Sequence, residues 1–456
     1  MKKYENYKDS GLEWLGMVPE HWEVMPIKYV LEQSNEGIKI GPFGSALTGK
    51  VSTEHPVRVY GQWNVVGKDF NAGKNFVTEE TYHELSSYQI SANDILISMM
   101  GTVGKCAIIP ETADKGIMDS HIVKIRLDQN KVLPEYFYYI YDKDCSKVII
   151  EQIQCNKRGS IMDGLNSSLI KNFVITLPPL SEQRTIASYL DQKVGQIDAL
   201  ISEKEKMVED LKAYRSSLIT ETVTKGLNKE VEMKDSGLEW LGMVPKHWEI
   251  VPLKYLLSEP LQYGANESAD NCNPLEPRYI RITDITEGGK LRKSTYRTLP
   301  YQKAEGYMLK KGDILFARSG ATVGKTFIFE EDYDACFAGY LIKASCNERL
   351  LPMFLYYFTS SNSYENWKNS IFNQATIQNI GADKYCALPI TTPSSEEQKR
   401  IISFLSPKVN QIDTSISEIE HQLSDLKSYK SSLITEAVTG KIDLRDWQTK
   451  NHNALW

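Results

Sequence analysis

The sequence lacks the features that would place a protein in a membrane or in the secretory pathway. No run of about 18 apolar residues occurs, so no transmembrane helix is expected. The first residues, MKKYENYKDSGLEW, include a pair of lysines but no apolar stretch, which is unlike a signal peptide. The seven cysteines form no C-x-x-C pair, and this scattered set predicts reduced thiols, a cytoplasmic location and no zinc site.

Motifs for catalysis are missing as well. There is no [DN]-P-P-[FYW] of amino-methyltransferases, no Pro-Asp dipeptide to start a nuclease signature, and no H-E-x-x-H or G-x-S-x-G. No Gly-rich cofactor fingerprint follows a predicted strand. We therefore predict a binding protein without a cofactor of its own. The net charge of −6 argues against indiscriminate coating of nucleic acid but leaves room for a local basic surface.

What the sequence does contain is a duplication. The stretch KDSGLEWLGMVP at 8–19 recurs letter for letter at 234–245, and the likeness extends over 8–31 and 234–257, called here the frame segments. Three further blocks recur in the same order: 93–109 with 312–329, 133–142 with 351–360, and 182–201 with 397–416. The ends of each half are nearly identical, whereas the middles have drifted. This pattern predicts a fixed frame that carries two independently changed recognition surfaces.

Residues 182–224 and 397–439 are predicted to form long helices, because apolar residues recur every seven positions and LPPLSEQ or TTPSSEEQ supplies a start signal. About 43 residues at roughly 1.5 Å each give a rod of ~65 Å. A single apolar seam needs one partner, so we expect the two helices to pair antiparallel. The predicted seam comprises Leu190, Val194, Ile197, Ile201, Val208, Leu211, Leu218, Leu405, Val409, Ile412, Ile416, Ile419, Leu423, Leu426 and Leu433. Only Lys204, Arg215 and Lys430 place charges on it.

Each variable segment predicts a β-hairpin followed by an aromatic helix. DILISMM and KCAII flank Gly101–Gly104, and residues 313–329 repeat the arrangement. PEYFYYIYD and PMFLYYFTS begin with proline and suit helices whose aromatic face is buried. His121 is expected in a strand, and Trp14, Trp22, Trp240 and Trp248 are expected to anchor the frame segments on a core.

The hairpin tip SGATVGKT invites comparison with a phosphate-binding loop. That loop requires G-x-x-x-x-G-K-[ST], but three residues separate Gly320 from Gly324, and Cys106 follows Lys105 in the other copy. We predict instead a glycine turn that presents backbone N–H groups and one lysine to a DNA phosphate. A plain turn with a solvated lysine stays open as the alternative.

Local charge supports a nucleic-acid surface in the second half. Residues 281–325 contain ten basic and four acidic residues, although a solvated surface can have the same composition. In the first half the signal is weak and rests on Lys105, on CNKRGS and on the polar stretch GQWNVV at 61–66. The candidate DNA-binding residues are Gly101, Thr102, Gly104, Lys105, Lys157, Arg158, Arg281, Arg292, Lys293, Arg318, Ser319, Thr322, Gly324 and Lys325.

The order of these blocks resembles the specificity subunit (HsdS) of type I restriction–modification systems. KIGPFGSAL (39–47), NDILISMMGTVGK (93–105) and LPPLSEQRTIASYLDQKVGQID (177–198) are all similar to that family, and the likeness covers nearly the whole chain. The resemblance assigns the DNA-facing turns to Gly101, Thr102, Gly104 and Lys105, and to Thr322, Gly324 and Lys325. Gly44–Ser45 also match, without a clear counterpart in the second half.

The resemblance implies an α+β fold, with two mixed α/β target-recognition domains joined by two long antiparallel coiled-coil helices in a pseudo-twofold repeat. The expected domains are residues 1–180 (with frame segment 8–31), helix 1 at 181–227, residues 228–392 (with frame segment 234–257), and helix 2 with a tail at 393–456. Because the second frame segment directly follows the first long helix, residues near the start of the chain are expected beside the end of the second.

The resemblance also implies a function. Each variable domain would read one half of a split double-stranded DNA target in the major groove, with half-sites about 34–36 Å apart, and the helices would set the gap. Two methyltransferase subunits that hold S-adenosylmethionine would dock on the chain and methylate adenine. Such complexes also admit two restriction subunits that use ATP and Mg. Two other interpretations stay open: a tandem-repeat enzyme with an unrecognised site, and a coiled-coil scaffold without DNA readout.

Overall fold

The computed structural model describes residues 2–33, 37–42, 44–99, 104–142, 144, 147–157, 166–286, 289–320, 322–372 and 379–447. Two compact units divide the chain: Met1–Lys204 with Gln422–Trp456, and Glu205–His421. Each long helix therefore contributes one part to each unit. Among the described residues, no helix combines the length and the apolar character needed to span a bilayer.

The elements of the first unit are short apart from the long helices. Its strands are β1 (Tyr7–Asp9), β2 (Met17–Pro19), β3 (Glu23–Pro26), β4 (Ile38–Ile40), β5 (Val57–Tyr60), β6 (Phe76–Val77), β7 (Ile95–Ser98), β8 (Cys106–Ile108), β9 (Gly116–Met118), β10 (Ile122–Ile125) and β11 (Val174–Leu177). Its helices are α1 (Gly44–Leu47), α2 (Gln62–Gly67), α3 (Glu79–Glu84), α4 (Pro134–Tyr141), α5 (Lys147–Lys157), α6 (Ser167–Asn172) and the first part of α7 (Leu180–Lys225).

The second unit follows a similar order with one strand fewer among the described residues. Its strands are β12 (Met233–Asp235), β13 (Met243–Pro245), β14 (Glu249–Pro252), β15 (Gln262–Tyr263), β16 (Arg278–Ile280), β17 (Ile314–Ala317), β18 (Thr326–Ile328), β19 (Ala335–Phe337), β20 (Leu341–Ala344) and β21 (Pro389–Thr392). Its helices are α8 (Tyr301–Ala304), α9 (Pro352–Phe358), α10 (Asn362–Phe372), α11 (Ala382–Cys386) and the first part of α12 (Ser395–Val438).

Both units build the same central sheet, although β6 extends the β5–β9 pair of the first unit to three strands. The central sheet has four antiparallel strands, in the order β4-β10-β7-β8 in the first unit and β15-β20-β17-β18 in the second. A parallel pair accompanies each one, β5 with β9 and β16 with β19. The strand pairings β7–β8 and β17–β18 confirm the hairpins predicted from sequence. The duplication thus extends through the middles, where the sequences have drifted.

The aromatic helices confirm the prediction of a buried face. Proline occupies the first turn of both α4 and α9, where its missing N–H costs no hydrogen bond. On α4, Tyr136, Phe137 and Tyr141 are fully buried, and burial of each such ring stabilises the fold by about 1.5–3 kcal/mol. These tyrosines are therefore core residues and cannot stack on bases.

The frame segments, with the residues just before the first of them, attach to the ends of the long helices. In the first unit the Tyr7 hydroxyl donates to the Gly440 carbonyl (3.1 Å), the Asp443 N–H donates to the Lys2 carbonyl (2.9 Å), and the buried Trp22 indole donates to Glu182 (3.0 Å). The contacts of Gly440 and Asp443 confirm that residues near the start lie beside the end of the second long helix.

The second unit repeats the same attachment. The Trp248 indole donates to Glu397 (3.3 Å) and its ring packs against Gly226. Trp22 and Trp248 are thus anchors as expected. Trp240 is half-buried and packs against the core of the second unit, also as expected, and Trp14 is half-buried.

The long helices pair antiparallel within each unit, as expected. In the first unit, Lys430 bonds Asp198 (2.7 Å) and Lys204 bonds Gln422 (2.7 Å). In the second, Lys212 contacts Glu420 (3.1 Å) and Arg215 contacts Asp413 (2.7 Å). Residue numbers on one helix fall as those on the other rise. The three charges noted on the seam therefore each bridge the two helices.

The apolar seam is confirmed as the contact face. Its buried members are Leu190, Val194, Ile197, Ile201, Val208, Leu405, Val409, Ile412, Ile416, Ile419, Leu423 and Leu433. Leu211, Leu218 and Leu426 are half-buried, and Leu218 packs against the core of the second unit.

Candidate nucleic-acid interface

The hairpin lysine of the first unit has a carboxylate partner. Lys105 Nζ lies 2.9 Å from Asp144 Oδ2, and this hydrogen bond raises the pKa of Lys105. The neighbouring Asp142 accepts the Cys106 backbone N–H at 3.0 Å. The Lys105 charge is therefore largely balanced by an acid on the adjacent segment. Gly104 ends the turn with a positive φ of 89°, and Gly101 and Thr102 lie outside the described residues.

In the second hairpin the recurring glycine has a structural reason. Gly324 has a φ of +83°, its N–H donates to the Ala317 carbonyl (2.8 Å) and its carbonyl accepts from the Tyr364 hydroxyl (2.8 Å). A Cβ at this position would lie 2.3 Å from Cδ of Lys368. The turn closes with a hydrogen bond from the Lys325 N–H to the Thr322 carbonyl (3.0 Å). Turn geometry alone therefore explains why glycine recurs here, and contact of the turn with phosphate stays a prediction.

The basic run of the second unit separates into different roles. The Arg281 guanidinium donates to both carboxylate oxygens of the buried Asp284 (2.8 and 3.1 Å), so it stabilises its own turn. Arg292 and Lys293, by contrast, are exposed. The Arg318 guanidinium lies 5.0 Å above the Tyr263 ring, and its Nε is buried without a hydrogen-bond partner among the described residues.

The remaining predicted residues are placed as follows. Ser319 is half-buried and forms an isolated antiparallel β-bridge with Asn379. Lys157 ends α5, but its side chain and all of Arg158 lie outside the described part of the chain. Gly44 and Ser45 begin α1, and nothing further is described of their side chains.

A groove of about 760 Å³ opens in the first unit at the polar stretch 61–66. Its lining includes Gln62, Trp63, Lys74, Asn75, Asp119 and His121. The Asn64 side chain shapes one wall, since it accepts the Gly61 N–H (2.9 Å) and donates to the carbonyls of Asp69 (2.8 Å) and Ala72 (2.9 Å). Trp63 remains 62% exposed, an unusual position for a large aromatic ring.

Two side chains of the β9–β10 turn face this groove. Asp119 Oδ1 accepts the His121 N–H (2.8 Å), whereas Oδ2 lies 3.7 Å from the His121 ring. Burial raises the pKa of Asp119. The prediction of a strand position for His121 is wrong, because β10 begins one residue later and the imidazole is exposed. Sequence reasoning missed Asp119, although MDSHI against FAGYL at 337–341 marked a drifted turn between matching strands.

The described residues offer no metal centre, since no group of three His, Cys, Asp or Glu side chains among them could hold an ion. The candidate surface is therefore built from aromatic, amide, carboxylate and cationic side chains. These groups are of the kinds that contact base edges and phosphates.

Comparison with known proteins identifies the family. The model of the type I restriction modification DNA specificity domain matches residues 19–210 and 245–424. The chain therefore belongs to the type I restriction modification DNA specificity domain family. The two matched stretches correspond to the two copies of the repeat.

Individual relatives cover most of the chain. The type I restriction enzyme EcoBI specificity subunit of Escherichia coli is 23% identical over 380 residues, which are 81% of this chain and 77% of the relative. The MjaVIII specificity subunit of Methanocaldococcus jannaschii is 25% identical over 461 residues, 97% of each chain. A solved chain, from work on complex assembly and conformational transition of the type I R-M system, matches with a TM-score of 0.68 and 18% identity. It covers 93% of this chain and 99% of its own length, and this likeness concerns the fold.

Proposed function

We propose that this chain is the DNA sequence-specificity subunit of a type I restriction–modification complex. The observation that carries the proposal is the doubled architecture in a chain of this family. Each unit has its own four-stranded sheet, parallel strand pair and frame segment, and each includes parts of both long helices. Two similar but diverged units suit a target made of two different half-sites.

The roles of the parts follow from this proposal. Each unit reads one half of the bipartite target in double-stranded DNA, and the antiparallel helix pair sets the gap between the halves. The chain itself is non-catalytic, in line with the missing catalytic motifs in its sequence. Two methyltransferase subunits that hold S-adenosylmethionine dock on the chain. Two restriction subunits that use ATP and Mg join this complex. The named relatives are specificity subunits of restriction enzymes, which supports this division of labour.

Long-read methylome sequencing tests the proposal. Cells that carry this chain with its cognate methyltransferase are compared with cells that lack only this chain. We expect a methylated motif of two short blocks around a fixed unspecified gap, which disappears without the chain. Exchange of one variable segment should change one block only.

The alternatives give different results, the first in the same experiment and the second in a turnover assay of the chain without its partners. A scaffold without DNA readout leaves no motif that depends on the chain, even though the complex assembles. A tandem enzyme turns over substrate without partner subunits. Either result, with complex formation verified, contradicts the proposed function.

A further inference from the structure

The two units share one local backbone arrangement around the groove of the first unit. In the first unit β5 pairs in parallel with β9, which leads into the β9–β10 turn. In the second unit β16 pairs in parallel with β19, which leads into the β19–β20 turn. The two registers align Tyr60 with Ile280 and Met118 with Phe337. The Asp119 N–H donates to the Tyr60 carbonyl (2.8 Å) and the Ala338 N–H to the Ile280 carbonyl (3.0 Å). The alignment therefore places Asp119 opposite Ala338 in the repeat.

The side chains that hold this arrangement have the same hydrogen-bonding role in both units. Asn64 and Asp284 each accept the backbone N–H three residues earlier, at 2.9 and 2.8 Å. Gly41 and Gly264 each pass so close to the turn that a Cβ would lie within 2.4 Å of a carbonyl oxygen, of Asp119 or Ala338 respectively. The scaffold of the site is thus the same in both units.

The side chains that project from this scaffold differ between the two units at four aligned positions. Gln62 aligns with Ile282, Trp63 with Thr283, Asp119 with Ala338, and His121 with Tyr340. Trp63 and Tyr340 are each 62% exposed, so packing does not explain either aromatic ring. A scaffold held constant while its displayed side chains change is the arrangement expected of positions that set specificity.

The chemistry of the first groove suits the edges of base pairs. Asp119 Oδ2 can only accept hydrogen bonds when ionised, and the exocyclic amino groups of cytosine and adenine are the donors of the major groove. Asn75 and Lys74, both exposed on the loop before β6, supply an amide and a cation. The Trp63 ring offers an apolar surface of the kind that contacts a thymine methyl group.

We propose that this groove reads bases of one half-site in duplex DNA, with Asp119 accepting from an exocyclic amino group. The Tyr340 turn is its counterpart for the other half-site. This inference rests on the proposed function and names the residues through which it acts. It locates base readout beside the hairpin turns rather than on them.

The test uses the full chain in complex with its methyltransferase. Asp119→Asn keeps the shape and the acceptor for the His121 N–H but adds a donor. We expect its methylome to change at one position of one block, while the other block stays intact. Tyr340→Ala should alter only the other block. His83→Ala, an exposed histidine on α3 of the first unit, serves as the matched control and should leave both blocks unchanged.

Binding of the purified complex to duplexes with single base-pair changes gives the magnitude. For Asp119→Asn we expect discrimination at the affected base pair to fall roughly 10- to 100-fold, with unchanged affinity for changes in the other half-site. An unaltered motif, or equal weakening of both blocks, would overturn the inference while leaving the proposed function standing. A wild-type chain without any dependent motif would instead overturn the proposed function.

Discussion

Lys124 in the first unit and Lys343 in the second occupy equivalent positions on β10 and β20, and both are buried. Lys124 Nζ donates to the Gln89 carbonyl at 2.7 Å. Lys343 Nζ instead lies 3.0 Å from the Glu259 carboxylate. A buried ammonium group needs strong acceptors, and the described contacts include a backbone carbonyl in the first unit and a carboxylate in the second. The repeat therefore preserves the buried lysine, while the described groups that contact its ammonium differ between the units.

The largest test of this comparison removes the anchors that both units share. Trp22→Ala and Trp248→Ala each empty a fully enclosed site and remove an indole hydrogen bond. We expect each change to lower the free energy of unfolding of its own unit by about 3–5 kcal/mol. Denaturant unfolding followed by near-UV circular dichroism measures this loss. A loss in one variant only would show that the frame segments are not equivalent.

The hairpin glycines of both units should resist replacement by alanine. Both Gly104 and Gly324 have positive φ, so either substitution strains the backbone and should cost more than about 1 kcal/mol. At Gly324 the new methyl group must also displace Lys368, which adds to the loss. Thermal unfolding measures both losses, and an unchanged stability of Gly324→Ala would contradict the close packing seen there.

Acid should weaken the ion pair of Lys343 with Glu259. Hydrogen bonds from Lys343 and Ser345 lower the pKa of Glu259, so its contribution is complete above the ordinary glutamate pKa of 4.5 and is lost as pH falls through the lowered value. We expect the second unit to lose this stabilisation below about pH 4.5. Glu259→Gln should remove that pH dependence, as measured by unfolding between pH 3 and 6.

The smallest effects concern phosphate contacts, where the units should again differ. Arg292→Ala with Lys293→Ala removes two exposed charges, and we expect DNA binding to weaken uniformly across sequences with the salt slope reduced by up to about 2. Lys105→Ala should change the slope less, because Asp144 already balances that charge. Titrations at several salt concentrations measure both, and a larger effect for Lys105 would reverse the assignment.

Features set by local sequence patterns were predictable. Heptad spacing gave the seam and its charges, and the hairpins and aromatic helices followed from short apolar runs with glycine or proline beside them. Features that join distant segments were not. The groove combines residues near 62, 74 and 119, and three strands and helix α4 separate Lys105 from Asp144 along the chain. No spacing rule connects such positions, since the fold alone brings them together.

The attachment of the frame segments has a topological consequence. Between α7 and β12 the link is continuous polypeptide, whereas between α12 and β1 the equivalent junction is made by hydrogen bonds such as those of Gly440 and Asp443. The junction between a long helix and the following frame segment is therefore covalent in one case and held by non-covalent contacts in the other. Such a fold is compatible with circular permutation, because the contacts are equivalent whichever unit comes first along the chain.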